Sequence, residues 1–303
     1  MWAFIRHPVF LALRETQPTR PTGATPFPAM RLSGIFLYPV KSLRGYSASS
    51  VKVDAIGPVG DRRFLVVDGE GRFLTQRSLP RMALITTALS PETLTLSTER
   101  TGAITVARTP VSGSPTRRVS VWKSEGLLAH DCGDLASEWL GECLQTKCRL
   151  VQIGADYARP ILKPGIARNG EGVTFADAFP FLLVGEASFD NLNDRLVTRG
   201  EEALPMNRFR PNLVVTGCAP FAEDTWNRFR IGDVVFRTAG PCARCTVTTT
   251  DQITAERGQE PLRTLATFRR DAQDPTDVNF GQNLIHESKT GVLHVGDIVE
   301  LLD

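Results

Sequence analysis

The feature that most constrains this chain is how often its apolar runs are cut. From residue 31 onward, short β-branched, aromatic and aliphatic runs alternate with turn residues. The run 32–38 ends at Pro39, the run 50–54 alternates, and the run 63–67 meets Asp68-Gly69-Glu70-Gly71, a hairpin signal. Further short runs follow at 73–75, 84–86, 94–96, 104–106 and 118–122. Short strands at regular spacing predict a barrel or sandwich.

Helical spacing enters at two places. Leu135, Trp139, Leu140 and Cys143 mark one face of a helix over 133–144, and Phe189, Leu192 and Leu196 mark one over 186–196. A Gly- and Pro-rich loop runs from about 154 to 172. Strands are expected at 181–184, 212–215 and 233–236, a short helix at 261–268, and a closing strand pair over 292–301 around Gly296-Asp297. The fold class is therefore α+β, predominantly β. At 303 residues the length suggests about two domains, divided as 30–150 and 151–303.

Residues 1–29 read differently. Pro8, Pro18, Pro21, Pro26 and Pro28 interrupt them, and the apolar patch 9–13 is far too short to span a bilayer. An unstructured extension, or translation from an upstream start with Met30 opening the domain, accounts for them. The formal net charge of +2 gives no polybasic field for nucleic acid or a membrane surface. Six cysteines in a chain this long do not make a disulfide scaffold, so a reducing compartment is expected. There is no internal repeat, no Rossmann glycine fingerprint and no phosphate loop of the G-x-x-x-x-G-K type.

The chemistry concentrates at Gly240-Pro241-Cys242-Ala243-Arg244-Cys245-Thr246-Val247-Thr248-Thr249-Thr250-Asp251. A Gly-Pro breaker precedes two thiols at C-x-x-C spacing, an arginine lies between them, and a Thr-rich run that reads as a strand follows. A cysteine beside a fixed positive charge sits in a setting that favours thiolate, a soft metal ligand and a nucleophile. Four readings compete. Structural zinc lacks a second Cys or His pair, and a thioredoxin-like pair would open a helix. Two buried small residues, or one thiolate ligand to a softer metal, remain.

The stretch 241–251 resembles the cysteine motif of the MOSC domain proteins, in pattern that of the mitochondrial amidoxime-reducing component and its bacterial homologues. Four further stretches match in order: Tyr38-Pro39-Val40-Lys41-Ser42, Asp177-Ala178-Phe179-Pro180-Phe181, Phe209-Arg210-Pro211-Asn212-Leu213-Val214 and Phe280-Gly281-Gln282-Asn283. The resemblance covers 30–303 and implies an amino-terminal β-barrel domain followed by a MOSC domain with a mixed barrel and peripheral helices. It implies a molybdenum cofactor (Mo-molybdopterin), with Cys245 as the metal ligand and catalytic residue and no ligand role for Cys242.

The residues expected around that cofactor each have a chemical reason. Lys41 and Ser42 follow a strand end at a Pro-marked turn and suit a terminal phosphate. The family places an arginine there from an Asp-Arg-Phe stretch. Here it reads Asp61-Arg62-Arg63-Phe64, and alignment on Asp61 selects Arg62 while alignment on Phe64 selects Arg63. Arg62 is the residue carried forward. Arg210 offers forked donors and Asn212 a mixed donor–acceptor edge to a pterin. Asp177 accepts from a pterin amine or serves as a turn residue, Arg77 lines the site, and Arg244 braces the cysteine loop.

The implied activity is reduction of N-hydroxylated compounds, such as hydroxylamino-purines or amidoximes. A carrier or sulfur-transfer protein using Cys245 is the alternative. No iron–sulfur cysteine set is present, so electrons are expected from a separate ferredoxin-, flavodoxin- or cytochrome b5-type protein with a reductase. A monomer in a bacterial cytoplasm is expected, with a mitochondrial matrix or another organelle left open.

Overall fold

The computed structural model describes residues 29–302. The expectation of an extension over 1–29 falls, apart from Ala29, outside the described residues. Strands dominate, with three α-helices among the described residues, Asp134–Leu144, Glu186–Thr198 and Leu262–Leu265. The α+β, predominantly β class holds. Among the described residues no helix is long and apolar enough to cross a membrane.

The largest sheet has eight strands in the order Val299–Leu301, Arg228–Ile231, Val234–Ala243, Asn279–His286, Phe181–Gly185, Leu213–Thr216, Arg31–Leu37 and Tyr46–Ala48. Strands from the start of the chain thus complete a sheet built from its second half. Phe181–Gly185 and Leu213–Thr216 pair in parallel across the helix Glu186–Thr198, because a parallel pair needs a crossover. A four-stranded sheet runs Phe64–Val67, Arg149–Gln152, Ser124–Asp131, Thr116–Val121. Two three-stranded sheets complete the fold.

Two cores flank the site. One packs Phe181, Phe229, Phe236, Leu213 and Leu284, with Phe181 edge-on to Phe236 at 5.2 Å. The other packs Val40, Phe64, Val66, Leu140 and Leu150. Each fully buried Phe contributes about 1.5–3 kcal/mol, so both cores hold their strand ends firmly. Between them the chain is stitched by backbone bonds, from Arg62 N to the Tyr38 carbonyl (2.8 Å), Lys41 N to the Phe64 carbonyl (3.0 Å) and Phe36 N to the Asn212 carbonyl (2.9 Å).

Several local expectations are corrected. The Thr-rich run after Cys245 is not a strand but a 3₁₀ turn, Thr246–Thr249, in which the Thr248 and Thr249 hydroxyls donate back to the carbonyls three residues earlier. Residues 80–84 form another 3₁₀ turn, and the next strand is Thr86–Leu89. The run 73–75 makes a single bridge, Val67 to Phe73, and no strand. Gly291–His294 and Val299–Leu301 do not pair with each other. Their partners are Ser50–Asp54 and Arg228–Ile231, because Gly296 N and the Asp297 carbonyl bond to Leu32 instead of closing a hairpin. On the helix Asp134–Leu144 the buried face is Ala136, Leu140 and Leu144, while Leu135 is 76% exposed. Strands Ser124–Asp131, Arg228–Ile231 and Asn279–His286 are additional to those expected.

Candidate functional site

The site begins at the end of the Arg31–Leu37 strand. Tyr38 is buried, and two guanidinium groups lie over its ring, Arg62 at 4.3 Å and Arg210 at 4.2 Å from the centroid. Burial pushes the Tyr38 phenol up to about 12, with Arg210 and Arg62 opposing the shift. Asp61 is fully buried beneath, accepting from Tyr38 N (2.9 Å) and Arg62 Nη1 (2.6 Å). Arg62 also donates to Asn212 Oδ1 (3.0 Å), and Arg210 donates to the Leu43 carbonyl (2.8 Å). Of Arg62 and Arg63, only Arg62 lines the cavity. Arg63 turns away to both oxygens of Asp54, at 2.8 and 2.9 Å.

Lys41 is 5% exposed and donates to the Phe175 carbonyl (2.9 Å) and to the Asp177 carboxylate. Burial lowers its pKa to about 8, partly offset by Asp177. The Asp177 side chain is 58% exposed at the cavity mouth. Burial of its surroundings pushes it up, but Lys41, Arg77 and the Trp122 N–H outweigh that and hold it below the usual carboxylate range. Arg159 fixes this loop from behind by donating to the carbonyls of Thr174 (2.8 Å), Ala176 (2.5 Å) and Asp177 (2.8 Å).

The cysteine loop closes the far side. The strand Val234–Ala243 changes register on both sides of Pro241, with Gly240 at φ 96, where a residue with a Cβ would be strained. This kink turns Cys242–Cys245 onto the cavity. Arg77 Nη2 donates to Cys245 Sγ at 3.1 Å. Arg244 serves the other thiol: it reaches Cys242 Sγ at 2.9 Å and the Phe209 carbonyl at 2.6 Å. Burial raises the Cys242 thiol, with Arg244 opposing the shift.

All nine side chains singled out in the sequence, Lys41, Ser42, Arg62, Arg77, Asp177, Arg210, Asn212, Arg244 and Cys245, line this one cavity. Five carry positive charge against one lining carboxylate, Asp177. Arg244 Nε is buried with no hydrogen-bond partner, a donor left for something else. Among the described residues no three His, Cys, Asp or Glu side chains gather around a bare ion. The donor set fits an anionic group rich in acceptors whose metal brings its other ligands and takes one sulfur from the protein.

Family comparison decides the relationship. Residues 29–147 match the MOSC N-terminal beta barrel domain and residues 170–300 match the MOSC domain. The chain belongs to the MOSC domain family. A MOSC relative, "Mitochondrial amidoxime-reducing component 1" of Mus musculus, is 35% identical over 88% of this chain and 81% of its own length. "Molybdenum cofactor sulfurase" of Danio rerio is 32% identical over 87% of this chain, which spans 33% of that protein. Among solved structures, the YuaD protein of Bacillus subtilis aligns over 90% of this chain and 94% of its own at 11% identity and TM-score 0.38, too distant to add to the assignment.

Within this MOSC site some features escaped sequence reading. Tyr38 was visible only as part of a motif, yet it is the platform that lets two like charges sit close together. Ser42, Arg62 and Arg210 adopt left-handed backbone, at φ 67, 45 and 55. Non-glycine residues seldom do so, and such strain collects at functional sites. No residue pattern announced it.

Proposed function

We propose that this protein is a molybdenum-cofactor-dependent reductase of N-hydroxylated compounds, hydroxylamino-purines or amidoximes, supplied with electrons by a separate redox protein. The observation that carries the reading is the Cys245 sulfur, held beside Arg77, on a cavity whose cations outnumber its carboxylates. A relative named for amidoxime reduction, similar over most of both chains, supports it.

In this reading Cys245 Sγ ligates molybdenum. Lys41, Ser42 and Arg62 hold the cofactor's phosphate, and Arg210, Asn212 and Arg244 meet its pterin edge. When bound, the cofactor supplies two-electron, oxygen-accepting chemistry. The chain supplies the rest: Arg77 holds the sulfur in place, and the ionised Asp177 accepts a substrate N–H at the mouth. Reducing an N–OH group to N–H consumes two electrons from the partner protein and two protons, and releases water. The residues before and after 150 would both contribute to the site.

The alternative, a carrier or sulfur-transfer role for Cys245, is favoured by the likeness to a molybdenum cofactor sulfurase. Bleaching of reduced viologen separates the two. With molybdenum-replete protein and benzamidoxime or 6-hydroxylaminopurine, dye oxidation should require substrate, metal and Cys245 together. Absence of oxidation with every N-hydroxylated substrate tried would transfer the assignment to the carrier role.

A further inference from the structure

A second cavity adjoins the first, with Asp177 and Ala178 lining both. Its other walls include Phe73, Trp122, Pro160, Leu162 and Val173. Trp122 stands out in two ways. The residue is 47% exposed, and its backbone is left-handed at φ 54, a conformation that costs a bulky residue about 1–2 kcal/mol. Yet the indole is pinned on three sides. Its N–H donates to Asp177 Oδ1 at 3.1 Å, the Arg77 guanidinium lies over the ring at 4.6 Å, and Phe73 meets it edge-to-face at 5.0 Å. Arg77 is the side chain that touches Cys245 Sγ at 3.1 Å. A strained, exposed and immobilised aromatic thus stands one side chain away from the sulfur, and the cavity beside it shares Asp177 and Ala178 with the first.

We propose that this second cavity receives the flat aromatic body of the substrate against Trp122 and Phe73, with the N-hydroxyl group directed past Asp177 towards Cys245. Trp122 is then a specificity-determining residue, and aromatic N-hydroxylated compounds are preferred over aliphatic ones. The identity of the ligand rests on the reductase reading. The shape and chemistry of the cavity do not. Stacking on an aromatic side chain is tolerant of the ring's substituents, which suits a range of aryl and purine substrates.

The test is calorimetric binding of benzamidoxime and of acetamidoxime, its aliphatic counterpart, to molybdenum-replete protein, with metal content measured alongside. Trp122→Gly suits the left-handed backbone and removes the ring, and Phe73→Leu removes the second ring while leaving the Asp177 and Arg77 contacts of Trp122. Trp122→Gly should weaken benzamidoxime about ten-fold more than acetamidoxime. Phe73→Leu should shift the ratio in the same direction. Equal losses for the two compounds, or no binding of benzamidoxime to the wild type, would overturn the inference. Benzamidoxime that binds in a Trp122-dependent way but is never reduced would uphold the cavity and sink the reductase reading.

Discussion

Two clusters of arginine and carboxylate in this molecule look alike on paper and behave differently. In the four-stranded sheet, Asp131 is buried and meets Arg117 and Arg149, with Asp134 completing a set of two cations and two acids. At the cavity, Lys41, Arg62, Arg77, Arg210 and Arg244 face only Asp177 and the underlying Asp61. The turn beside the first cluster is made by Gly133 at φ 95, where the conformation costs little. At the second, Ser42, Arg62 and Arg210 adopt left-handed backbone without being glycine. A matched cluster on relaxed backbone is a structural brace. We propose that an unmatched cluster on strained backbone is an anion site.

Asp131→Asn leaves Arg117 without an acid and Arg149 with only the exposed Asp134, and should cost roughly 2–3 kcal/mol in chemical denaturation, with little change in metal retention. The Asp131 carboxyl is shifted down: burial pushes it up, and its bonds to Arg149 and Arg117 more than reverse that. Its contribution is therefore present at neutral pH and lost as pH falls below the ordinary carboxylate range, and the variant should show a flatter acid limb.

Lys41→Ala should do the reverse. Asp177 remains largely in water, so the fold should keep its unfolding midpoint. Cofactor retention should fall by about ten- to a hundred-fold, for the roughly 1.5–3 kcal/mol of a charge-assisted bond. Unchanged molybdenum content under limiting cofactor would show that the anion is held elsewhere.

Ser42→Gly probes the backbone strain at the cavity. Its left-handed backbone is freely available to glycine, so the variant should gain about 1 kcal/mol in unfolding free energy. A loss of stability would mean that the backbone is not strained.

The smallest effect is on pH. Burial lowers Lys41 from 10.5 to about 8, so its charge, and with it the grip on an anion, should be lost as pH rises through about 8. Folding of the ligand-free protein should instead become more favourable between about 8 and 10.5, where the buried amine is neutral and the unfolded one is still charged. Retention measured across that range should decline in wild type and stay flatter in Lys41→Arg.

Much of the site was legible because its residues sit where strands end and motifs can be recognised: Lys41 after Pro39, Asn212 before Leu213, Cys245 after the Gly240-Pro241 kink. The five cations were visible one by one, but their excess over acids was not, since it depends on which residues the two halves bring together. The Thr-rich run misled because β-branched residues favour strands, whereas here their hydroxyls satisfy a turn. The closing hairpin misled because local turn chemistry at Gly296-Asp297 was overridden by long-range pairing with Leu32. Leu135 misled because helical periodicity marks an apolar stripe without saying which edge of it the core covers. Trp122 gave no signal beyond a strand end.

We propose that Cys245 gives a molybdenum cofactor its one protein ligand in a cavity that counters its charge. X-ray absorption at the molybdenum edge, on protein from cells that make the cofactor, tests it directly. About one molybdenum per chain with sulfur neighbours is expected, and one sulfur neighbour fewer in Cys245→Ser but not in Cys242→Ser. Molybdenum absent from the wild type, or an unchanged sulfur shell in Cys245→Ser, would contradict it.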